Sequence, residues 1–183
     1  IAQDLYEAGY ISYPRTSCRF LPTSMVPEIP NLLKPMEAFP ELATALKLVT
    51  PAAITAATSG KDYIDDAKLT DHHALIPTVK KVDPSKLTED QKKIYLLVAK
   101  RLLSIFLPAY TVDSTTVMVD SNGWKIKASG KAVVDPGFSI LYTSEKKDVI
   151  LPPLNKGDQV DITGSSIRKG QTTPPDRYTD KSL

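Results

Sequence analysis

Two short runs hold most of the residues that could do chemistry. In the first, Gly9-Tyr10-Ile11-Ser12-Tyr13-Pro14-Arg15-Thr16-Ser17, the proline pushes Tyr13 into the extended region. Ile11, Tyr13 and Arg15 then point to one side, so a phenol and a guanidinium share a face. A phenol has a pKa of about 10, and a nucleophilic tyrosine at neutral pH needs a cation or a base to favour the phenolate. Arg15 could be that cation, or could hold a phosphate oxygen while charge builds on a pentacoordinate phosphorus. A half-buried strand tyrosine beside a surface arginine has the same spacing and no chemistry.

The second run is Asp71-His72-His73-Ala74-Leu75-Ile76-Pro77-Thr78. Adjacent histidines in an extended stretch face opposite ways, which argues against both ligating one metal. One could be a working imidazole, supplying charge or moving a proton, while the other is structural. A pair of hydrogen-bonded loop histidines is the plainer alternative. Asp62, Asp65, Asp66 and Asp71 precede them, either as a solvated acidic loop or as part of a carboxylate-histidine metal site. There is no phosphate loop, dinucleotide fingerprint or G-x-S-x-G elbow. Cys18, close behind the tyrosine run, reads as a small packed side chain.

The elements that must position these residues change character along the chain. Ile1, Leu5 and Ala8 have helical spacing, and Gly9 is placed as the stop. Prolines at 22, 27, 30, 35, 40 and 51 punctuate short helical stretches, with Glu41 to Val49 the clearest. The strongest helix runs from Thr88 to Leu107. Thr88 and Gln91 form a capping box, Ile94, Tyr95, Val98, Leu102, Ile105 and Phe106 share a face, and Pro108 closes it. From Thr111 the period becomes two, through Thr115 to Asp120, a Ser121-Asn122-Gly123 turn, Trp124 to Ala128, then Gly130, Gly137 and Val160 to Thr163. The expectation is an α+β chain whose β half holds four or five short strands, too few for a closed barrel.

Composition narrows the function classes. The 183 residues carry 23 basic and 21 acidic side chains, for a net charge of +2. Residues 1–110 hold 13 basic and 12 acidic groups and residues 111–183 hold 10 and 9, so neither half is a polycationic tail. Nucleic-acid binding would have to rest on a local groove. The single cysteine excludes an internal disulfide framework and fits a reducing, cytoplasmic setting. No apolar run approaches the roughly 18–20 residues of a membrane span. The missing initiator Met, and a helical first turn over Thr179 to Leu183 that is cut short, read as a piece of a longer protein.

The run from Ala2 through Gly9-Tyr10-Ile11-Ser12-Tyr13-Pro14-Arg15-Thr16, then His72-His73-Ala74-Leu75-Ile76-Pro77-Thr78, then Thr172-Thr173-Pro174-Pro175-Asp176-Arg177-Tyr178-Thr179, resembles in order and spacing the type IA DNA topoisomerases. The Tyr-Pro-Arg and His-His-Ala versions are similar to the topoisomerase III branch. The resemblance implies that Tyr13 attacks a phosphodiester of single-stranded DNA, leaving a 5′-phosphotyrosyl link and a free 3′-hydroxyl. It implies that Arg15 steadies the scissile phosphate and that His72 lies near it. Tyr10, Thr16, Arg19 and His73 are then DNA-binding or supporting residues. The match departs at Ser17, where the family usually has Asp, which puts the tuning of Arg15 in question.

The same resemblance implies three parts. Residues 1–110 would be a helical, CAP-like or winged-helix-type catalytic-tyrosine domain, 111–168 part of a β-rich arch, and 169–183 a linker toward a helical domain. It also implies magnesium held by an Asp-x-Asp pair and a glutamate of a Toprim domain. No Asp-x-Asp-x-Glu pattern occurs here, so this chain would hold no metal and be inactive without the rest of its polypeptide. Two rivals remain: a non-enzymatic helical DNA-binding module, and a metal-dependent hydrolase built on Asp62 to His73.

Overall fold

The computed structural model describes residues 1–142 and 149–179. Its compact units are Ile1–Leu151 and Pro152–Leu183. The first is α+β. Among the described residues it contains α1 (Ala2–Glu7), α2 (Ile29–Leu33), α3 (Ala43–Leu48), α4 (Pro51–Thr58), α5 (Glu89–Ser104), and an antiparallel pair, β1 (Thr111–Ser121) and β2 (Trp124–Asp135).

α5 is the longest helix, and its start follows from four residues. The Gln91 N–H donates to Thr88 Oγ1 at 3.2 Å while the Thr88 N–H donates to Gln91 Oε1 at 3.0 Å, closing the capping box. Glu89 and Asp90 in the first turn and Arg101 in the last complement the helix dipole. The helix ends at Ser104, earlier than the Leu107 that the apolar pattern suggested, because Ile105 and Phe106 leave it in a tighter turn and still pack inward. Tyr95, Val98, Ala99, Leu102 and Leu103 bury one face against Leu5, Ile29, Met36, Phe39 and Leu42.

The proline-rich stretch folds as expected into short turns. Pro30, Pro35, Pro40 and Pro51 each open a helical turn, where a missing N–H costs nothing. α4, whose Thr50 Oγ1 caps the Ala53 N–H at 3.2 Å, was not foreseen; Thr50-Pro51 is an N-cap and N1 signal.

The β half needs correction. Two long strands replace the four or five short ones. They join through Asn122 (φ 51) and Gly123 (φ 88), the two left-handed positions of a tight hairpin turn. Gly130 sits inside β2, where a Cβ would collide with the Val149 carbonyl, while the Lys131 N–H donates to that oxygen at 2.9 Å. Val160 to Thr163 forms no strand, since alternation makes a strand only where a partner edge exists. Residues 152–179 are exposed throughout and contain neither helix nor strand, with a local turn in which Asp158 Oδ2 accepts from the Asn155 N–H at 2.7 Å. Of the helical turn expected over Thr179 to Leu183, residues 180–183 lie outside the described residues.

Candidate functional site

The tyrosine run and the histidine run, far apart in sequence, are laid side by side. α1 stops at Glu7, and Gly9 at φ +75 turns the chain back. The Thr78 N–H donates to Tyr10 O at 3.0 Å, Ile11 bridges Pro77, the Ser12 N–H donates to Ile76 O at 2.8 Å, and Thr16 Oγ1 donates to His72 O at 3.3 Å. Each step forward on one segment is a step back on the other, so the two run antiparallel. Pro14 and Pro77 lack the donors for a continuous ladder, and side chains fill in. Ser12 Oγ accepts from the Ile76 N–H at 3.0 Å and donates to Ala74 O at 3.3 Å; Thr78 Oγ1 donates to Gly9 O at 2.5 Å.

This pairing brings Tyr13 and His72 together. Their ring centroids lie 4.3 Å apart with planes tilted by 37°. On its other side the Tyr13 ring meets Tyr6 of α1 edge-on, at 5.3 Å and 78°. Tyr13 is half-buried between them, and His72 is exposed. Arg15 is exposed just beyond, with no ion pair or ring contact among the described residues. A shared face with Tyr13 therefore produces no contact between the phenol and the guanidinium. Ser17 is exposed too.

The remaining residues singled out by sequence support this arrangement. Tyr10 carries Lys80 Nζ 5.4 Å from its ring centroid, and the same ammonium donates to Ala8 O at 2.7 Å, closing the end of α1. Thr16 Oγ1 also accepts from the Cys18 N–H at 3.1 Å. The Arg19 guanidinium lies 5.2 Å from the Phe20 ring centroid. His73 diverges from His72: it is half-buried, its Nδ1 is 2.7 Å from Ala74 O, and it borders a groove of about 430 Å³ with Met25, Leu32 and Val79. Because that carbonyl only accepts, His73 Nδ1 carries the proton. Tyr6 is the neighbour that sequence reading missed. The contact depends on the left-handed Gly9 reversal, which no spacing between the two rings encodes.

The acidic run does not make a metal centre. Asp65 is buried, accepting from the Ala67 N–H at 3.1 Å and pairing with Lys68 at 3.4 Å. Asp66 accepts from the Thr23 N–H at 2.9 Å, and hydrogen bonding from Thr23 holds its carboxyl below the usual range. These carboxylates are spent on separate turns, and among the described residues no group of three His, Cys, Asp or Glu side chains converges as a metal site. The hydrolase alternative therefore has no such ligand group behind it among the described residues. Among the described residues no helix is long and apolar enough to cross a membrane.

Comparison with known proteins places the chain in a family. A DNA topoisomerase family model matches residues 1–183. DNA topoisomerase 3 of Bacillus subtilis (strain 168) is 34% identical over 192 residues, covering 100% of this chain and 26% of that protein. The Bacillus licheniformis DNA topoisomerase 3 is 32% identical over 191 residues, with the same coverage of 100% and 26%. The Shouchella clausii DNA topoisomerase 3 is 31% identical over 186 residues, covering 99% and 25%. The chain thus spans about a quarter of the length of these relatives. With a match along its whole length and relatives of one name, the chain belongs to the type IA DNA topoisomerases, in their topoisomerase III-like branch.

Proposed function

We propose that this chain is the strand-cleaving part of a type IA topoisomerase, with Tyr13 as the nucleophile. The observation that carries the reading is the Tyr13 ring held against His72 at 4.3 Å, with Arg15 free and exposed beside it. The Tyr13 oxygen attacks the phosphorus of one phosphodiester in single-stranded DNA. A P–O(Tyr) bond forms, the P–O3′ bond breaks, and the phenol's proton ends on the departing 3′ oxygen as a hydroxyl. The 5′ end stays on the protein, and attack by the 3′-hydroxyl reverses the step, so no bond energy is lost. Arg15 steadies the scissile phosphate with charge-assisted hydrogen bonds. The His72 imidazole restrains the phenol and places charge, or a movable proton, at that phosphate.

Residues 1–110 act as a CAP-like catalytic domain, 111–168 as part of the arch that lets the gate open, and 169–183 as the link to a helical domain. Tyr10, Thr16 and His73 hold the site's backbone in register, and Arg19 takes the strand beyond Arg15. Magnesium belongs to Toprim carboxylates elsewhere in the polypeptide; the residues here do not fit it, and none of the steps above runs through it. The partners are single-stranded DNA and the remaining domains of the same cytoplasmic protein.

The test incubates end-labelled single-stranded DNA and magnesium with this chain alone, then with the rest of the polypeptide added, and denatures both in detergent. The chain alone is expected to trap no adduct, and the complete protein to trap one on a 5′ phosphate. Tyr13→Phe should abolish it, since only the attacking oxygen is removed. An adduct that survives Tyr13→Phe and disappears in Tyr10→Phe would show that the wrong tyrosine has been assigned.

A further inference from the structure

A recess of about 210 Å³ is lined by Arg19, Tyr63 and, at and just past the end of α5, Arg101, Leu102 and Ile105. Two guanidiniums border this small space, and among the described residues neither has a carboxylate partner. Like charges sharing a recess repel unless an anion sits between them, and guanidinium forks match phosphate oxygens in shape and charge. The lining also includes the Tyr63 ring and the Leu102 and Ile105 side chains, which suit the flat face of an unpaired base. The volume takes one phosphate or one base and is far too narrow for a duplex.

We infer that this recess is a second phosphate site, in which Arg19 and Arg101 grip a phosphodiester of the single strand whose neighbouring phosphodiester lies at Tyr13. The inference rests on the strand-cleaving reading above and extends it to Arg101 and Tyr63. Arg15 and Arg19 are separated by at most about 14 Å of extended chain. The two side chains thus leave one short segment, along which a single strand can run from Tyr13 to the recess. The strand is therefore held on one side of the reacting bond, so that the end carrying the free hydroxyl or the tyrosyl link stays put while the gate is open.

Arg101 also complements the dipole of α5, a role that would affect stability alone. The salt dependence of binding separates the two roles. Fluorescein-labelled oligothymidylate is titrated with the 183-residue chain by fluorescence anisotropy across a salt series, alongside Arg19→Gln, Arg101→Gln and the double variant. Both side chains are exposed and Gln retains much of the stem, so the variants keep the fold; thermal melts followed by circular dichroism verify it. Each single variant should lower the slope of log K against log salt by about 0.7 and the double variant by about 1.4, with affinity falling several-fold per step. Arg101→Lys should keep the slope and lose part of the affinity. A double variant with the wild-type slope, or a wild type that binds no oligothymidylate, would overturn the inference. The two failures are distinguishable: an unchanged slope with a Tyr13 adduct intact in the complete protein removes only this site, whereas a lost slope without any Tyr13 adduct leaves this site standing and removes the cleavage assignment.

Discussion

Tyr13 is fixed by contacts from two directions, the edge-on ring of Tyr6 and the face of His72, and neither contact holds unless the loop beneath keeps its register. Ser12 is the pin of that register. Its hydroxyl accepts from the Ile76 N–H and donates to Ala74 O across the two segments. Ser12→Ala leaves a partly buried N–H without its acceptor, a loss of about 1–3 kcal/mol. The thermal midpoint should fall by roughly 2–4 °C for each kcal/mol, and adduct formation in the complete protein should fall further than the midpoint alone explains. Arg15→Ala should slow cleavage on the order of tenfold to a thousandfold, as for the removal of one charge-assisted contact to a developing charge, with an unchanged melt because the side chain is exposed. The approach of Tyr13 to His72 agrees with the resemblance, which implied that both lie near one phosphate. That Tyr13 touches Tyr6 could not be read in advance, because it depends on the left-handed Gly9 reversal and not on any spacing between the two rings. The histidines do diverge, as expected: His72 lies in a bend against Tyr13, while His73 turns toward Ala74 O.

At the scale of elements, α5 holds the core and contains one group at odds with it. The Tyr95 ring is fully buried, stacked on Phe39 at 4.8 Å, and its hydroxyl has no hydrogen-bond partner among the described residues. Burial pushes this phenol well above its ordinary pKa. Because the folded-state value is raised, stability is intact below the unfolded value of about 10 and declines as pH climbs past it. Tyr95→Phe removes the unpaired hydroxyl and should raise stability by about 1 kcal/mol. The mutant's alkaline unfolding should also begin at higher pH, read from thermal melts between neutral pH and pH 11. Thr88→Ala, by opening the capping box, should cost about 1 kcal/mol in the same melts. Capping residues and apolar period together revealed α5 and the hairpin turn in advance. The end of α5 and the length of the strands did not emerge, because Ile105 and Phe106 stay apolar after the helix has tightened, and because Gly130 lies within a strand for reasons of close approach.

Over the whole molecule, the hairpin is anchored to the helical core at one point beyond β2. Gly137 has φ +44, and a Cβ there would run into the carbonyls of Pro108 and Ala109. The Phe138 N–H donates to Pro108 O at 2.9 Å, and Leu141 is buried in the core. Gly137→Ala should therefore destabilise by about 1–3 kcal/mol, and limited proteolysis should cut first after the hairpin. The chain spans about a quarter of its relatives' length, so cleavage is a property to be measured in the complete polypeptide. The most direct measurement traps the covalent complex there, trims the DNA with nuclease and the protein with trypsin, and locates the nucleotide by tandem mass spectrometry. Trypsin releases Tyr6, Tyr10 and Tyr13 in one peptide ending at Arg15, and its fragment ions separate the three. A 5′-phosphonucleotide on Tyr13 is the predicted result; the same group on Tyr10 or Tyr6, or on a residue outside this peptide, would contradict the account.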